Sequence, residues 1–358
     1  MDSEVAPPRI VAWEITRRCN LYCAHCRASA TCGPYPDELS TEECLSVVDQ
    51  LSEMGRPMLI LTGGEPLLRA DFFRLARYAA RKGLRVTVGC NGTVLSKEMA
   101  ASMKDVPVAR VAVSLDFPRR ELQDGFRGMP GAFDAALEGI RNAREAGLQV
   151  QVNATVTRLN APYLDDLVSL ALEVGAVAFH PFLLVPTGRG KGLEKEELPP
   201  EEYERVLEWT CRKQLELGDR MFFKPTDAPH YMRVRLQYGG RSRADRGAGH
   251  PGAMGALTRG CLAGTGFCFI SHLGRVQGCG YLDIEAGDLR RQSFREVWLG
   301  SKLFRDIRDL SMLRGKCGLC EYKKICGGCR ARAFEATGDY LAAEPYCVYQ
   351  PRMGRVVV

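Results

Sequence analysis

The chain has 358 residues, of which 46% are hydrophobic and 26% charged, with a net charge of +6 and 15 cysteines. This length suffices for one large domain and a smaller one, and so modest a positive charge does not indicate a nucleic-acid-binding protein. No apolar stretch reaches membrane-span length and the first residues lack signal-peptide features, so we expect a cytoplasmic protein whose cysteines serve metal binding or catalysis rather than disulfides.

Strand-like apolar runs alternate with amphipathic helical segments along the first half of the chain. The predicted strands are residues 10–15, 58–61, 84–88, 108–115, 148–156 and 176–184. The predicted helices are one that is capped by Ser40 and Glu43 and ends before Gly55, and then residues 71–82, 96–104, 132–146 and 162–174. Polar or glycine residues follow each strand, as in folds that bind ligands at the carboxyl ends of parallel strands. The pattern predicts an α/β fold with a partial (β/α)6 barrel over about residues 9–186.

A Cys-x3-Cys-x2-Cys run, Cys19, Cys23 and Cys26, directly follows the first predicted strand. Thiolates are the ligands that iron–sulfur clusters prefer, and three of them on a 4Fe-4S cluster would leave one iron open. Buried cysteines acting as small hydrophobes are one alternative. A zinc site that includes His25 is another, although structural zinc usually takes paired cysteine knuckles. We favour the cluster and interpret His25 as a packing residue.

The second predicted strand leads into Gly63, Gly64, Glu65 and Pro66. A Gly-Gly turn lets the backbone approach a ligand closely, and Glu65 can accept a charge-assisted hydrogen bond from an ammonium group. Together with the cysteine run, this segment resembles the signature of the radical S-adenosylmethionine (SAM) enzymes. The resemblance implies that SAM chelates the open iron and is cleaved to a 5′-deoxyadenosyl radical, while the Gly-Gly-Glu-Pro segment holds the SAM amino group.

Polar residues near later strand ends match positions at which this family contacts SAM. The resemblance assigns to SAM binding Asn91, Ser114, Asp116 and Arg127, with Asn153 and Thr155 on the adenine side. Taken singly, each of them is more often an ordinary turn or strand residue. It is their order along successive strands that supports the assignment.

The last third of the chain resembles the SPASM extension of radical SAM enzymes, which binds one or two auxiliary 4Fe-4S clusters. By that resemblance one cluster is held by Cys261, Cys268, Cys279 and Cys329, and the other by Cys317, Cys320, Cys326 and Cys347. The last two knuckle cysteines are separated by two residues, where the family more often has three, which leaves the partition and the number of clusters open. A zinc ribbon is the alternative, because paired Cys-x2-Cys knuckles also bind zinc.

These features divide the chain into three expected segments. The radical SAM partial barrel occupies residues 1–190, a helical bridge with a flexible basic loop occupies residues 191–260, and the cysteine-rich SPASM domain occupies residues 261–358. Of the remaining cysteines, we interpret Cys44, Cys90 and Cys211 as structural, and we expect that Cys32 is not a ligand.

Longer stretches, among them residues 12–21, 179–191, 266–272 and 326–332, resemble the heme b synthases of the siroheme-dependent heme pathway. The resemblance implies that two propionates of iron-coproporphyrin III are oxidatively decarboxylated to vinyl groups, that an auxiliary cluster accepts an electron, and that a small protein such as ferredoxin or flavodoxin is the electron donor. Alternatives are the sister enzymes, namely 12,18-didecarboxysiroheme deacetylase and the heme d1 enzymes, or a SPASM enzyme that matures peptides or sulfatases. A non-catalytic electron-transfer or zinc-binding module is the alternative from another class.

An iron-porphyrin substrate with four carboxylates requires cationic partners. We expect them to be Arg17, Arg18, Arg27, Arg189 and Lys191. Arg233, Arg235 and the arginines of residues 239–260 are expected to close over the substrate. Neutral imidazole is the usual axial ligand of such an iron, and the candidates are His180 and His272, followed by His230 and His250.

Overall fold

A computed structural model of the chain describes residues 5–238 and 259–352. The strands are β1 (Ile10–Thr16), β2 (Met58–Gly63), β3 (Arg85–Cys90), β4 (Arg110–Ser114), β5 (Val150–Val156), β6 (Ala178–Leu183), β7 (Phe222–Phe223), β8 (Phe267–Ile270), β9 (Arg275–Gln277) and β10 (Glu285–Asp288). The α-helices are α1 (Thr41–Glu53), α2 (Phe72–Arg81), α3 (Lys97–Asp105), α4 (Arg120–Arg127), α5 (Ala132–Glu145), α6 (Leu164–Glu173), α7 (Pro200–Leu217), α8 (Tyr231–Gln237), α9 (Phe294–Gly300), α10 (Lys302–Arg308), α11 (Gly315–Leu319) and α12 (Arg330–Thr337).

Strands β1 to β7 are parallel, and each pairs with the next one along the chain. Parallel neighbours require a crossover connection, and helices supply it here. The first six strands alternate with helices as predicted, which confirms the α/β partial barrel. Helix α1 begins with the predicted capping box, in which Ser40 accepts a hydrogen bond from Glu43 N and the Glu43 carboxylate accepts one from Ser40 N. Helix α4 is short and polar, and the sequence pattern did not predict it.

The cysteine-rich region is built onto the barrel's own sheet. Strand β8 pairs in parallel with the free edge of β1, with Val11 opposite Cys268. Strands β9 and β10 continue the sheet in antiparallel fashion, so that the strand order is β10-β9-β8-β1-β2-β3-β4-β5-β6-β7. The two cysteine-bearing regions are therefore neighbours across one strand pair.

Side-chain alternation along the strands separates an outer hydrophobic core from the barrel interior. On β4, Val111 and Val113 are fully buried in the core that the helices cover. The intervening residues Arg110, Ala112 and Ser114 line an internal cavity. The polar residues of this face are therefore available for binding and chemistry.

Four residues of the predicted basic loop and axial-ligand set lie outside the described residues: Arg241, Arg243, Arg246 and His250. Within the described ranges, no helix has the length and apolar character needed to cross a membrane.

Candidate active site

The barrel interior contains a cavity of about 520 Å³. Residues from β1 to β6 line it, together with loops that carry cysteines from both ends of the chain. The cysteines that line it are Cys19, Cys23, Cys26, Cys90, Cys261, Cys279 and Cys329. Two groups of cysteines that are far apart in sequence thus face one space.

The loop that carries the first three cysteines is held in place by backbone hydrogen bonds. Cys19 N donates to Thr31 O at 2.8 Å, and Tyr22 N donates to Arg127 O at 3.1 Å at the end of α4. The helix that the sequence pattern did not predict therefore positions this loop.

An N–H donor approaches each of the three sulfur atoms. The pairs are Leu21 N with Cys19 Sγ (3.4 Å), Arg127 Nη1 with Cys23 Sγ (3.8 Å) and Ala30 N with Cys26 Sγ (3.4 Å). Burial raises the pKa of the Cys19 thiol to about 11 and also raises the pKa of Cys23. Thiolates in so buried a place need a bound metal and such donors to stabilise their charge. The three side chains fit the ligand set of an iron–sulfur cluster.

Gly63 and Gly64 pack closely against the backbone of the residues that precede Cys19. A Cβ on Gly63 would clash with the carbonyl oxygen of Thr16, and one on Gly64 would clash with that of Arg18. Gly64 N donates to Thr16 O at 2.8 Å, and the next backbone N–H, that of Glu65, donates to Arg18 O at 2.7 Å. Only glycine permits this approach, which ties the Gly-Gly turn to the cysteine loop.

Glu65 is fully buried, and backbone donors use both of its carboxylate oxygens. Oε1 accepts a hydrogen bond from Leu67 N at 3.1 Å, and Oε2 accepts one from Asn91 N at 2.7 Å. Burial raises the pKa of Glu65 to about 7 in spite of these bonds. A cation bound beside Glu65 would favour the ionised form. The side chain also caps the short 3₁₀ turn that begins at Pro66.

Asp116 and Arg127 form a buried ion pair near the end of β4. Arg127 Nη2 lies 2.5 Å from Asp116 Oδ2, and Asp116 Oδ1 accepts a hydrogen bond from Thr155 N at 2.7 Å. Because Arg127 also reaches the sulfur of Cys23, this pair connects the end of β4 to the cysteine loop. The structure places Arg127 in the cavity lining and Asp116 behind it.

The other strand-end residues that we expected to bind SAM all line the cavity: Asn91, Ser114, Asn153 and Thr155. Asn91 Nδ2 donates to Asn20 Oδ1 at 2.9 Å and lies 3.9 Å from Cys19 Sγ. Asn91 therefore also orients the cysteine loop.

The eight cysteines of the last third fall into two groups and one separate residue. Cys317, Cys320, Cys326 and Cys347 line a second, smaller pocket. Cys261, Cys279 and Cys329 line the main cavity. Cys268 lies on β8 and is completely buried in the hydrophobic core, so the structure does not bring it together with the other three.

The spacing within these groups bears on the zinc alternative. In residues 5–238 and 259–352, no three His, Cys, Asp or Glu side chains are close enough to share one metal ion. Structural zinc sites place four ligands around a single ion. The cysteines instead surround pockets, an arrangement that suits a cluster of several irons.

Two of the arginines expected to bind substrate pair with Glu14 instead. Arg17 Nε and Arg27 Nη2 lie 3.0 and 2.6 Å from its carboxylate oxygens, and His272 Nδ1 lies 2.8 Å from Oε1. Burial raises the pKa of Glu14, but Arg27, His272 and Arg17 outweigh it and lower the pKa to about 2. His272 is not among the residues that line the cavity, so it does not face a substrate iron there.

Other predicted cationic contacts also have protein partners. Arg189 donates to the backbone carbonyl oxygens of Cys23 and Ala30, at 3.0 and 2.8 Å. Arg233 lies 2.6 Å from Glu204 and faces the second pocket rather than the main cavity. Lys191 is largely exposed, 3.9 Å from Glu335.

Two histidines have packing roles. His25 stacks on Phe126 with ring centroids 4.5 Å apart, as expected, and burial lowers its pKa to about 4. His230 stacks on Tyr203 at 4.8 Å and lines the second pocket. His180 is thus the one predicted axial ligand among the described residues that lines the main cavity.

One end of the cavity is basic, which the sequence pattern did not predict. Arg9, Arg110 and Lys224 line it together with His180. Burial and the charges of Lys224 and Arg110 hold the pKa of His180 well below its usual range. Gln151 Nε2 lies 3.0 Å from His180 Nδ1. If Nδ1 accepts from this amide, the neutral ring presents its other N–H to the cavity as a donor. No motif marks Arg9, Arg110 or Lys224, and Lys224 follows a strand of only two residues.

Comparisons with known proteins identify both parts of this architecture. Residues 13–171 match the family model described as the Radical SAM superfamily, and residues 261–330 match the SPASM model, described as an iron-sulfur cluster-binding domain. The AdoMet-dependent heme synthase of Methanosarcina barkeri (strain Fusaro / DSM 804) is 47% identical, with 96% of this chain and 97% of that protein covered. The Fe-coproporphyrin III synthase of the same organism is 32% identical, with 94% and 87% covered.

A solved structure agrees with the fold. The crystal structure of Streptococcus suis SuiB bound to S-adenosylmethionine superposes with a TM-score of 0.75 at 17% identity, covering 96% of this chain and 78% of that one. The chain is an enzyme of the radical SAM superfamily and carries a SPASM iron–sulfur cluster-binding domain.

Proposed function

We propose that this enzyme converts two propionates of iron-coproporphyrin III into vinyl groups and so forms heme b. The observation that carries the proposal is the 47% identity, over nearly the whole of both chains, to an AdoMet-dependent heme synthase. The 32% identity to an Fe-coproporphyrin III synthase supports a related tetrapyrrole reaction as the second candidate.

The cysteine loop and the Gly-Gly turn are the proposed cofactor site. We assign the 4Fe-4S cluster to Cys19, Cys23 and Cys26, and the amino end of SAM to the turn at Gly63 and Gly64. When bound, the cluster and SAM supply a 5′-deoxyadenosyl radical that abstracts a hydrogen atom. The protein's part is to hold the propionate carbon next to that radical, since proximity supplies much of the rate and the selectivity.

The basic end of the cavity supports a substrate with several carboxylates. Burial, with Arg9 nearby, lowers the pKa of Lys224, and burial next to Arg85 lowers the pKa of Arg110. Burial of cations is unfavourable, and carboxylates offset that cost. Asp227 already acts on Lys224 in this way, and the carboxylates of a substrate would add to it. The two propionates that remain unchanged would bind to Lys224 and Arg110. The other two would then point towards the cysteine loop.

The cavity also suits the size and surface of a macrocycle. Its volume of about 520 Å³ falls within the usual range for small-molecule sites, roughly 300–1,000 Å³. Apolar residues such as Ile60, Phe182 and Phe269 contribute to the lining. They offer a surface against which a flat ring system can pack.

The test is an anaerobic turnover with cluster-reconstituted protein, SAM, a low-potential reductant and iron-coproporphyrin III. Each conversion releases carbon dioxide, transfers one hydrogen atom to the deoxyadenosyl radical and leaves one electron to be removed. Mass spectrometry should therefore show two successive losses of a formic-acid equivalent and one deoxyadenosine for each vinyl group. Cys19→Ala should yield neither product. Deoxyadenosine with unchanged iron-coproporphyrin III would contradict the proposed substrate and favour another tetrapyrrole or a peptide.

A further inference from the structure

The sheet itself separates Cys268 from the other cysteines of its expected cluster. Its neighbours on β8, Phe267 and Phe269, line the main cavity, so Cys268 faces the opposite side. Val11, its partner on β1, is buried in the same hydrophobic core. Cys268 is 0% exposed and has the surroundings of a core thiol. It is badly placed to bind a metal in the cavity.

Three cysteines then remain for a cluster of four irons. Cys261, Cys279 and Cys329 line the cavity and come from three different segments of the SPASM region. Cys261 N donates to Cys326 O at 2.9 Å, and Cys329 N donates to Glu344 Oε2 at 2.8 Å, so both are held by the surrounding fold. A fourth ligand has to come from another residue or from outside the protein.

Asp227, in the loop after β7, lines the same cavity as these cysteines. Its Oδ2 atom is shielded from solvent and has no hydrogen-bond partner among the described residues. The cationic side chains of Arg332, Lys224 and Arg27 lie near this carboxylate, but none of them donates a hydrogen bond to Oδ2. A buried carboxylate oxygen without a partner is costly unless it binds a cation or a donor.

The backbone holds Asp227 in a conformation that few residues adopt. Its φ angle is 59°, in the left-handed region. Arg332 Nη1 and Tyr203 Oη each donate to its carbonyl oxygen at 2.8 Å. Arg332 N also lies 3.5 Å from Cys329 Sγ, so one residue positions both the aspartate and a cysteine. Strained backbone that is clamped in this way is typical of ligand and active sites.

We propose that Asp227 Oδ2 is the fourth protein ligand of the auxiliary cluster held by Cys261, Cys279 and Cys329, in place of Cys268. This inference rests on the proposed cluster site of the SPASM domain and is independent of the tetrapyrrole substrate. A carboxylate is a harder ligand than thiolate and a weaker electron donor to iron. Replacement of cysteine by a less donating ligand raises the reduction potential, as histidine does in Rieske centres.

The experiment compares full-length Asp227→Ala, Asp227→Cys and Cys268→Ala proteins after anaerobic reconstitution. Every protein, including the parent, also carries Cys19→Ala, Cys23→Ala and Cys26→Ala, so that only auxiliary clusters contribute to the spectra. Iron and sulfide are counted, and EPR-monitored redox titrations give the midpoint potentials. We expect Cys268→Ala to match its parent, Asp227→Cys to show a more negative potential for one cluster, and Asp227→Ala to lose that cluster or change its EPR signal.

Added cyanide provides a second readout if Asp227→Ala keeps its iron. An open iron site should bind cyanide and shift the EPR signal in this variant, whereas the parent should not respond. The proposal is overturned if Asp227→Ala and Asp227→Cys both match the parent in iron, potential and EPR signal. It is equally overturned if Cys268→Ala loses a cluster. Neither result depends on heme formation, so a wrong substrate would not imitate either one.

Discussion

Glu14 Oε2 accepts a hydrogen bond from Arg27 Nη2 at 2.6 Å. Arg27 directly follows Cys26 in sequence and donates its other Nη to Gly280 O at 3.3 Å, next to Cys279. Glu14 lies on β1 and is 0% exposed. This pair therefore joins the radical SAM loop to the SPASM region through one buried carboxylate.

We expect Glu14→Gln to destabilise the protein by about 3 kcal/mol, because it leaves buried Arg27 without its counter-charge. The pKa of Glu14 falls from 4.5 to about 2 on folding, chiefly through Arg27 acting against burial. A lowered carboxyl pKa stabilises the fold above pH 4.5, and this contribution is lost as the pH falls towards 2. Denaturant unfolding between pH 7 and pH 3 should show the difference between wild type and variant shrinking with acidity.

The matched control is Glu138→Gln, which removes the exposed ion pair with Arg141 on α5. Surface pairs contribute roughly 0–1 kcal/mol, so this variant should unfold almost as the wild type does. Equal losses in the two variants would show that burial of Glu14 has no special energetic role.

Arg127→Met should impair cluster loading and SAM cleavage. The substitution removes the donor to Cys23 Sγ and leaves Asp116 buried without its ion-pair partner. Loss of such outer contacts typically lowers metal affinity or activity roughly 10- to 100-fold. Iron content and deoxyadenosine formation measure the effect. Arg120→Met, at the exposed start of the same helix, should retain wild-type iron content and activity. Similar losses in Arg120→Met would show that damage to helix α4, and not loss of the Arg127 contacts, causes the effect.

Gly64→Ala should abolish SAM cleavage, since its Cβ would be forced against the carbonyl oxygen of Arg18 and displace the cysteine loop. The atoms nearest to that Cβ all belong to the backbone of Arg17 and Arg18, so no flexible side chain can move aside to make room. Gly300→Ala, at the end of α9, has open space around its Cβ and should be neutral or slightly stabilising. Deoxyadenosine release and thermal unfolding separate the two outcomes. A Gly64→Ala protein that cleaves SAM normally would refute the close-approach role.

Lys224→Met should weaken binding of iron-coproporphyrin III about tenfold or more, because a charge-assisted bond to a propionate contributes about 1.5–3 kcal/mol. Lys191→Met should leave the dissociation constant unchanged, since Lys191 is exposed and lies near Glu335. Absorption titration of the tetrapyrrole without SAM measures both. Equal affinity of Lys224→Met and wild type would show that the basic end of the cavity does not bind the substrate.

The strand and helix order of the barrel was predictable because its apolar periods are long and regular. The first cysteine motif was equally clear, since three closely spaced thiols directly after a strand are typical of a metal site. Cys268 shows where local spacing is insufficient: one residue of strand register decides which face a side chain occupies. Spacing along the chain contains no information about that register.

The basic end of the cavity and Asp227 escaped prediction for a different reason. Arg110 looks like an ordinary strand residue, and Lys224 and Asp227 lie after a two-residue strand. Their chemistry arises from desolvation and from neighbours distant in sequence, as with Arg332, which contacts Asp227 across 105 positions. Such contacts are properties of tertiary structure.

The pairing of β8 with β1 has a consequence for how the chain is made. A ribosome synthesises β1 well before β8, so the second edge of β1 gains a partner only when residues 267–270 emerge. Until then, the strand that carries Glu14 exposes unpaired backbone groups, a state prone to association with other chains. Cluster insertion that waits for the complete chain would avoid loading metal into a barrel whose edge is still open.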